Sequence, residues 1–203
     1  MIWAFKQIAA PLRYLQIRQG SSLLKSKAVY DWIFPVLISV LMIGVLLAFS
    51  PHTRIFSERG LLAPFEKLLE ILIPFYIVAL AAVATFAGGK LDDPMKGDAA
   101  TLKTLRKNGT YFDRDLNRRH FVCYLFGYLS AASLFIYILI LLVGLVADDA
   151  GAYFSSVLGV WFQYFRVVVM FIFLLPIWQI IVATLLGVYF MSDRLQAMDD
   201  PEI

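Results

Sequence analysis

The sequence predicts an all-α integral membrane protein with four transmembrane helices, an N-terminal amphipathic interfacial helix and an outer interfacial helix. Of the 203 residues, 61% are hydrophobic and only 16% are charged, whereas soluble domains carry about 25% charged residues. The apolar residues form four blocks, each close to the roughly 20 residues that cross a bilayer as a helix. Most basic residues lie in two segments, one before the first block and one between the second and third blocks.

The N-terminal segment, residues 1–30, is predicted to contain an amphipathic helix at the cytoplasmic membrane surface. Apolar Trp3 and Ile8 are set against basic Lys6, a pattern typical of helices that lie in the interface. We expect Trp3 to act as a membrane-interface anchor and Pro11 to interrupt the helix.

The four apolar blocks are separated by polar or charged segments. Pro74 and Pro176 fall within the second and fourth blocks, where neighbouring helices can satisfy the freed carbonyl groups, so we expect kinks there. In chain order, the predicted segments are the first span 31–49, an outer loop 50–67, the second span 68–88, a basic cytoplasmic loop 89–120, the third span 121–147, an aromatic outer segment 148–166, the fourth span 167–191 and a cytoplasmic tail 192–203.

The distribution of basic residues predicts the orientation in the membrane. Segment 1–30 and loop 89–120 hold five and eight of the 18 lysine and arginine residues. Because basic residues are enriched in cytoplasmic loops, the two segments are expected to share the cytoplasmic side. The distribution thus predicts a multi-pass membrane protein with both termini in the cytoplasm.

The outer segment 148–166 is rich in aromatic residues. It carries no charged residue between Asp149 and Arg166, so it is unsuited to water. We expect an interfacial helix, with a short re-entrant segment as the alternative. Its predicted interface anchors are Tyr153, Trp161 and Tyr164.

Loop 89–120 is predicted to be ordered and helical. Asp98 is placed to cap a short helix over residues 99–107, and Asn108 with Gly109 predicts a turn. Thr110 and Asp113 have the spacing of a capping pair, so a second helix is expected to run directly into the third span.

The basic residues of this loop are candidates for docking a partner protein or binding phosphate groups. The alternative is that they only obey the orientation rule, since five aspartates dilute the cluster. The candidate residues are Lys103, Arg106, Lys107, Arg114, Arg118 and Arg119.

The sequence carries no pattern that indicates catalysis, so we expect a protein that is not an enzyme, with no catalytic residues and no cofactor. It has no phosphate-binding loop and no nucleophile elbow. His120 and Cys123 lie on one helix face, but no second pair exists to complete a metal site. We expect neither a metal site nor direct binding of nucleic acid.

Polar residues within the spans are candidates because such side chains in hydrocarbon face protein or water. Gln179 is central to its span and follows Pro176, where it is expected either to bond across helices or to line a pore around a symmetry axis. The full set is Ser130, Ser133, Gln179 and Thr184.

Three short runs carry a family resemblance. They are Asn-Arg-Arg-His-Phe at 117–121, Tyr-Leu-Phe-Gly-Tyr at 124–128 and Tyr-Phe-Met-Ser-Asp-Arg at 189–194. With the four-span layout, they make the chain resemble the membrane subunits of bacterial anti-phage defence operons, most nearly the KwaA family of the Kiwa system. The resemblance implies a sensor of phage attack in the lipid bilayer, which recruits a cytoplasmic DNA-binding effector.

Two functions from different classes therefore stay open. The first is the sensor and scaffold, expected to be a homo-oligomer, with a tetramer as one arrangement. The second is an oligomeric ligand-gated channel or pore-forming effector of an abortive-infection system, whose gate would be hydrophobic or built from the polar span residues.

Overall fold

A computed structural model describes residues 7, 9–18, 27–50, 54–57, 60–85, 100–105, 111–189 and 191, without the side chains of 103–105, 111, 112 and 114. Most of these residues are helical. The long helices are α1 (Phe34–Phe49), which follows a π-helical turn (Val29–Ile33), α2 (Ala63–Thr85), α3 (Arg118–Leu158) and α4 (Phe162–Tyr189). A short 3-10 helix (Ala10–Gln16) precedes them, and two strands, β1 (Thr101–Leu105) and β2 (Tyr111–Asp115), lie between α2 and α3.

Three stretches of the described chain are long and apolar enough to cross a membrane. They are Val29–Phe49, Ala63–Thr85 and Arg118–Tyr189. Their outward faces are apolar: Leu41 and Ile71, for example, expose about two thirds of their surface or more (69% and 70%). Such surfaces suit lipid, because hydrocarbon solvates them without the cost of exposing them to water. The chain is a helical, membrane-embedded protein.

The third stretch contains two helices that fold back on each other. Gly159 has a φ of 50°, a conformation that only glycine adopts readily, and it opens the 3-10 turn Gly159–Trp161 between α3 and α4. At the other end of α4, a Cβ on Gly187 would lie 3.2 Å from the Leu125 side chain near the start of α3. The two helices are therefore antiparallel.

The remaining helices pack on this pair. The Tyr137 hydroxyl on α3 donates to Glu70 of α2 over 2.9 Å, and Tyr76 lies nearer the start of α3, beside Phe126, so α2 is antiparallel to α3. On the other side, Ile43 of α1 joins a buried cluster with Met170 of α4. The helices thus pack in the order α1, α4, α3, α2.

The bundle has two ends that differ in what covers them. At the hairpin end, β1 and β2 pair antiparallel with Thr101 opposite Asp115, and the 3-10 helix packs on α3. At the other end, which we call the cleft end, residues 54–57 line a cleft together with the ends of α3 and α4. α3 has 41 residues, about 60 Å at 1.5 Å per residue, so it reaches from one end to the other.

The predicted helices in loop 89–120 were wrong. Residues 101–105 and 111–115 form β1 and β2 instead, a short hairpin in a fold that is otherwise helical. The predicted capping residues Asp98 and Thr110 lie outside the described residues. The helix that was expected to start near Thr110 and run into the third span begins only at Arg118. Thr, Tyr and Phe favour extended strands once a partner strand supplies the backbone hydrogen bonds, and that pairing outweighs the capping pattern.

Two further boundaries differ from expectation. The third span was expected to end before Asp148 and Asp149, but α3 continues through both residues to Leu158. It can do so because neither aspartate removes a backbone hydrogen bond. The first part of the outer segment 148–166 is therefore an extension of α3, and its second part contains the turn and the start of α4. In the described part of segment 1–30, Pro11 lies in the first turn of a 3-10 helix.

Candidate functional site

A buried cluster of charged and aromatic side chains lies at the hairpin end. Lys27 and Asp31 are one helical turn apart where the chain enters the π-helical turn before α1. Tyr14 comes from the 3-10 helix, and Phe121 and Tyr128 come from the first turns of α3. We call these five residues the junction, because they join three segments of the chain.

The Lys27 ammonium group is the centre of the junction. It donates hydrogen bonds to the Asp31 carboxylate and to the backbone oxygen of Tyr14 over 2.9 Å. It also lies 3.6 Å from the centre of the Tyr14 ring, within the range of a cation–π contact. The Tyr14 hydroxyl donates to the other Asp31 oxygen over 3.4 Å, so the charges and the phenol satisfy one another.

Aromatic rings of α3 enclose this polar group. The Tyr14 ring stacks on Tyr128 with 5.0 Å between centroids and lies 6.2 Å from Phe121. Tyr14 and Phe121 are fully buried, and Lys27 and Asp31 expose 5% and 4% of their surface. The pair is therefore out of reach of any dissolved substrate, so its role is to hold segments together.

Burial also sets the protonation behaviour of the junction. Desolvation lowers the pKa of Lys27, and the neighbouring Asp31 carboxylate opposes this shift. Desolvation raises the pKa of Tyr14 above its ordinary range, and the negative charge of Asp31 adds to the increase. Tyr14 consequently stays a neutral hydrogen-bond donor at physiological pH.

The junction connects directly to the strands. Arg18 and Thr101 exchange two backbone hydrogen bonds of 3.0 and 2.9 Å, so the chain that carries Tyr14 adds to the edge of β1. Ala100 and Leu102 are buried there, and Leu116 donates its N–H to Ala100 over 2.9 Å. The strands, the 3-10 helix and the start of α3 thus form one layer at the hairpin end.

Four of the six predicted basic docking residues lie in or beside this layer. Lys103 lies on β1, opposite Asp113, and Arg114 lies on β2, opposite Leu102. Arg106 and Lys107 lie outside the described residues. Arg118 is buried at 7% exposure and Arg119 is half-buried, so these two contribute to packing at the start of α3 rather than to an open surface.

The predicted polar span residues are buried or half-buried in the helix bundle. Ser130 donates to the Phe126 carbonyl oxygen over 2.8 Å, and Thr184 donates to Ile180 over 2.6 Å while sharing a hydrogen bond with Tyr76. These bonds satisfy polar groups that lipid could not.

Gln179 and Ser133 are buried more deeply, at 7% and 0% exposure. The Gln179 side-chain nitrogen and the Ser133 hydroxyl have no hydrogen-bond partner within the described part of the chain. Both lie inside a single chain. A pore lined by Gln179 around an axis between copies requires this side chain to leave the bundle interior.

Three of the four predicted interface anchors lie at the cleft end. Tyr153, Trp161 and Tyr164 expose 65 to 70% of their surface, and the Trp161 and Tyr164 rings contact each other with centroids 5.6 Å apart. Trp3 lies outside the described residues. No group of three metal-binding side chains occurs among the residues that the structure describes, and His120 is exposed on the first turn of α3.

The sequence did not predict the junction. Lys27 was counted only as a basic residue before the first span, and Asp31 only as the start of that span. The available signal was their four-residue spacing, which brings side chains together on a helix, next to an apolar block that leaves little water to solvate them.

Comparisons with protein-family models, curated proteins and solved structures found no match for this chain.

Proposed function

We propose that this protein is a four-span, non-enzymatic sensor and scaffold of the bacterial inner membrane, which recruits a cytoplasmic DNA-binding effector during anti-phage defence. The junction is the observation that carries the proposal. It couples the strand layer to helices α1 and α3 through buried contacts of Tyr14, Lys27 and Asp31. A change in the packing of the membrane helices therefore alters the layer on which a partner would dock.

The proposed topology has α1, α2, α3 and α4 each crossing the membrane once. The fold-back at Gly159 supports two crossings within Arg118–Tyr189, because α3 and α4 contact each other along antiparallel paths. The hairpin end faces the cytoplasm in this proposal, since it receives segments 1–30 and 89–120 with most of the basic residues.

Single-cysteine labelling tests this topology. In a Cys123→Ser background, Ser57→Cys at the cleft end is expected to react with a membrane-impermeant maleimide in intact cells whose outer membrane is permeable. Ser192→Cys in the tail is expected to react only after lysis. Labelling of Ser192→Cys in unlysed cells would place the C-terminus outside and overturn the orientation.

The proposed docking surface is the basic loop 89–120. Its strands carry Lys103 and Arg114 within a layer that is hydrogen-bonded to the segment of Tyr14 and to Leu116, just before α3, and the resemblance to the KwaA family supplies the nature of the partner. A homo-oligomer, such as a tetramer, would multiply these surfaces and raise the avidity for a partner.

Affinity purification from cells that carry the native operon tests the docking proposal. The expected result is recovery of a soluble protein that binds DNA when purified, and loss of it with Lys103→Glu, Arg106→Glu and Lys107→Glu combined. Lys67→Glu on α2 is the matched control, because it reverses an exposed basic charge near the cleft end. Unchanged recovery with the triple variant would overturn loop docking.

The channel alternative has weaker support. Its best polar candidates, Gln179 and Ser133, are buried between helices of one chain, where they are not available to surround an axis between copies.

A further inference from the structure

The cleft end contains a cavity of about 470 Å³ between residues 54–57 and the paired ends of α3 and α4. Cavities of 300–1,000 Å³ are typical of sites for small molecules. The junction lies at the opposite end of the bundle, so this cavity is a separate feature. We call it the outer cleft.

The walls of the outer cleft are largely apolar, whereas the charged groups among its described lining residues carry a net positive charge. Apolar lining residues include Phe56, Val143 and Val169. The charged lining residues in the described chain are Arg54, Arg166 and Asp148, two cations and one anion. A ligand that matches both features has an anionic group and an apolar part.

Arg166 lies nearer the α3–α4 turn than the apolar residues Val143 and Val169 do. It precedes the predicted fourth span, and Val169 follows it by about one helical turn along α4. The Phe154 and Phe165 rings contact each other, so Asp148 lies deeper along α3 than Arg166 does along α4, and Val143 lies deeper still. An anionic head at the interface with a hydrocarbon tail toward the membrane interior has the same arrangement.

We propose that the outer cleft binds one molecule of an anionic glycerophospholipid from the surrounding leaflet. Its phosphate lies between Arg54 and Arg166, since guanidinium groups bind phosphate oxygens through paired, charge-assisted hydrogen bonds. The upper part of one acyl chain runs along Val143 and Val169. The cleft is smaller than a whole phospholipid, so the rest of the chains stays in the bilayer.

This ligand goes beyond the proposed partner docking and depends only on the membrane embedding of the chain. A lipid in the cleft touches α3, α4 and the segment before α2 together. The relative position of these helices at the cleft end then depends on the lipid that occupies it. Partner capture through loop 89–120 is measured separately, so either result can fail without the other.

Native mass spectrometry of the full chain in a non-ionic detergent tests the proposal. Dioleoyl phosphatidylglycerol, dioleoyl phosphatidylcholine and inorganic phosphate are the three probes. We expect one bound phosphatidylglycerol per chain, retained about tenfold better than phosphatidylcholine because the two arginines repel the choline cation, with inorganic phosphate unable to displace it. Equal retention of the two lipids overturns the proposal, and displacement by inorganic phosphate overturns it in favour of a soluble anion.

Charge variants locate the site. Arg54→Gln with Arg166→Gln is expected to reduce phosphatidylglycerol binding about tenfold or more, whereas Lys67→Gln, outside the cleft, leaves it unchanged. Asp148→Asn removes the opposing charge and is expected to strengthen binding a few-fold. That gain cannot result from misfolding. Wild-type binding by the double arginine variant, or weaker binding by Asp148→Asn, would overturn the assignment.

Discussion

The Lys27 ammonium group and the Asp31 carboxylate form an ion pair that is almost completely shielded from solvent, one turn apart at the entry to the first apolar helix. A buried charge needs a partner, because the loss of hydration is not otherwise offset. Here the offset also comes from the Tyr14 backbone oxygen and the Tyr14 ring. The pair therefore depends on a residue 13 positions before Lys27.

Removing one member of this pair is expected to be more harmful than removing both. Lys27→Met leaves the Asp31 carboxylate buried and uncompensated, which we expect to lower the free energy of unfolding by about 3–5 kcal/mol. The double variant Lys27→Met with Asp31→Leu should recover most of this loss. Thermal unfolding in nanodiscs measures both. A double variant that is less stable than Lys27→Met would contradict the view that the two charges compensate each other.

The Tyr14 hydroxyl is expected to make stability depend on pH in the alkaline range. The pKa of Tyr14 is raised above 10.0 in the folded protein, so the unfolded chain releases this proton first. The stabilisation is fully present below about pH 10 and is lost as pH rises further, by up to about 1.4 kcal/mol per pH unit. The stability difference between the wild type and Tyr14→Phe isolates this effect from that of Lys27. A difference that stays constant from pH 9 to 11 would contradict it.

Gly187 is expected to be required for the close approach of α3 and α4. A Cβ there lies 3.2 Å from the Leu125 side chain, so Gly187→Leu should force the helices apart and cost about 1–3 kcal/mol of unfolding free energy. Gly144→Leu is the matched control, because a Cβ at Gly144 meets nothing within 4 Å. Equal stability of the two variants in nanodisc unfolding would argue against this packing.

Gln179→Leu is expected to be tolerated or stabilising. The Gln179 side-chain nitrogen is buried without a partner among the residues that the structure describes, and such a group costs about 1–3 kcal/mol. Leucine removes that cost with similar volume, so unfolding should require about 1 kcal/mol more. In reconstituted liposomes, ion flux should not change with this substitution. Loss of an ion flux present in the wild type would instead favour the channel alternative.

The long helices were the most predictable part of the molecule. A backbone in hydrocarbon must satisfy its own hydrogen bonds, so an apolar block of sufficient length is almost bound to be helical. The first span was predicted as 31–49, and the structure has helix over Val29–Phe49. Hydropathy predicts such helices from short stretches of sequence, because each side chain contributes its own preference for lipid or water.

The hairpin end was not predictable in the same way. Asp98 and Thr110 follow the local rules of helix capping, but Asn108 and Gly109 between residues 101–105 and 111–115 equally fit the turn of a hairpin, and the pairing of Thr101 with Asp115 shows that the hairpin forms. In contrast, nothing near Lys27 in the sequence indicates that Tyr14 and Tyr128 cover it. The junction comes from contacts between distant segments, which a one-dimensional pattern does not contain.

The length of α3 links the two ends of the molecule mechanically. This one helix contributes Phe121 and Tyr128 to the junction and Val143 to the outer cleft. A rod of about 60 Å that tilts by about 5° displaces one tip relative to the other by about 5 Å. A small rocking of α3 at the membrane surface thus becomes a displacement of the strand layer comparable to the spacing between two strands, with no relay of side chains between them.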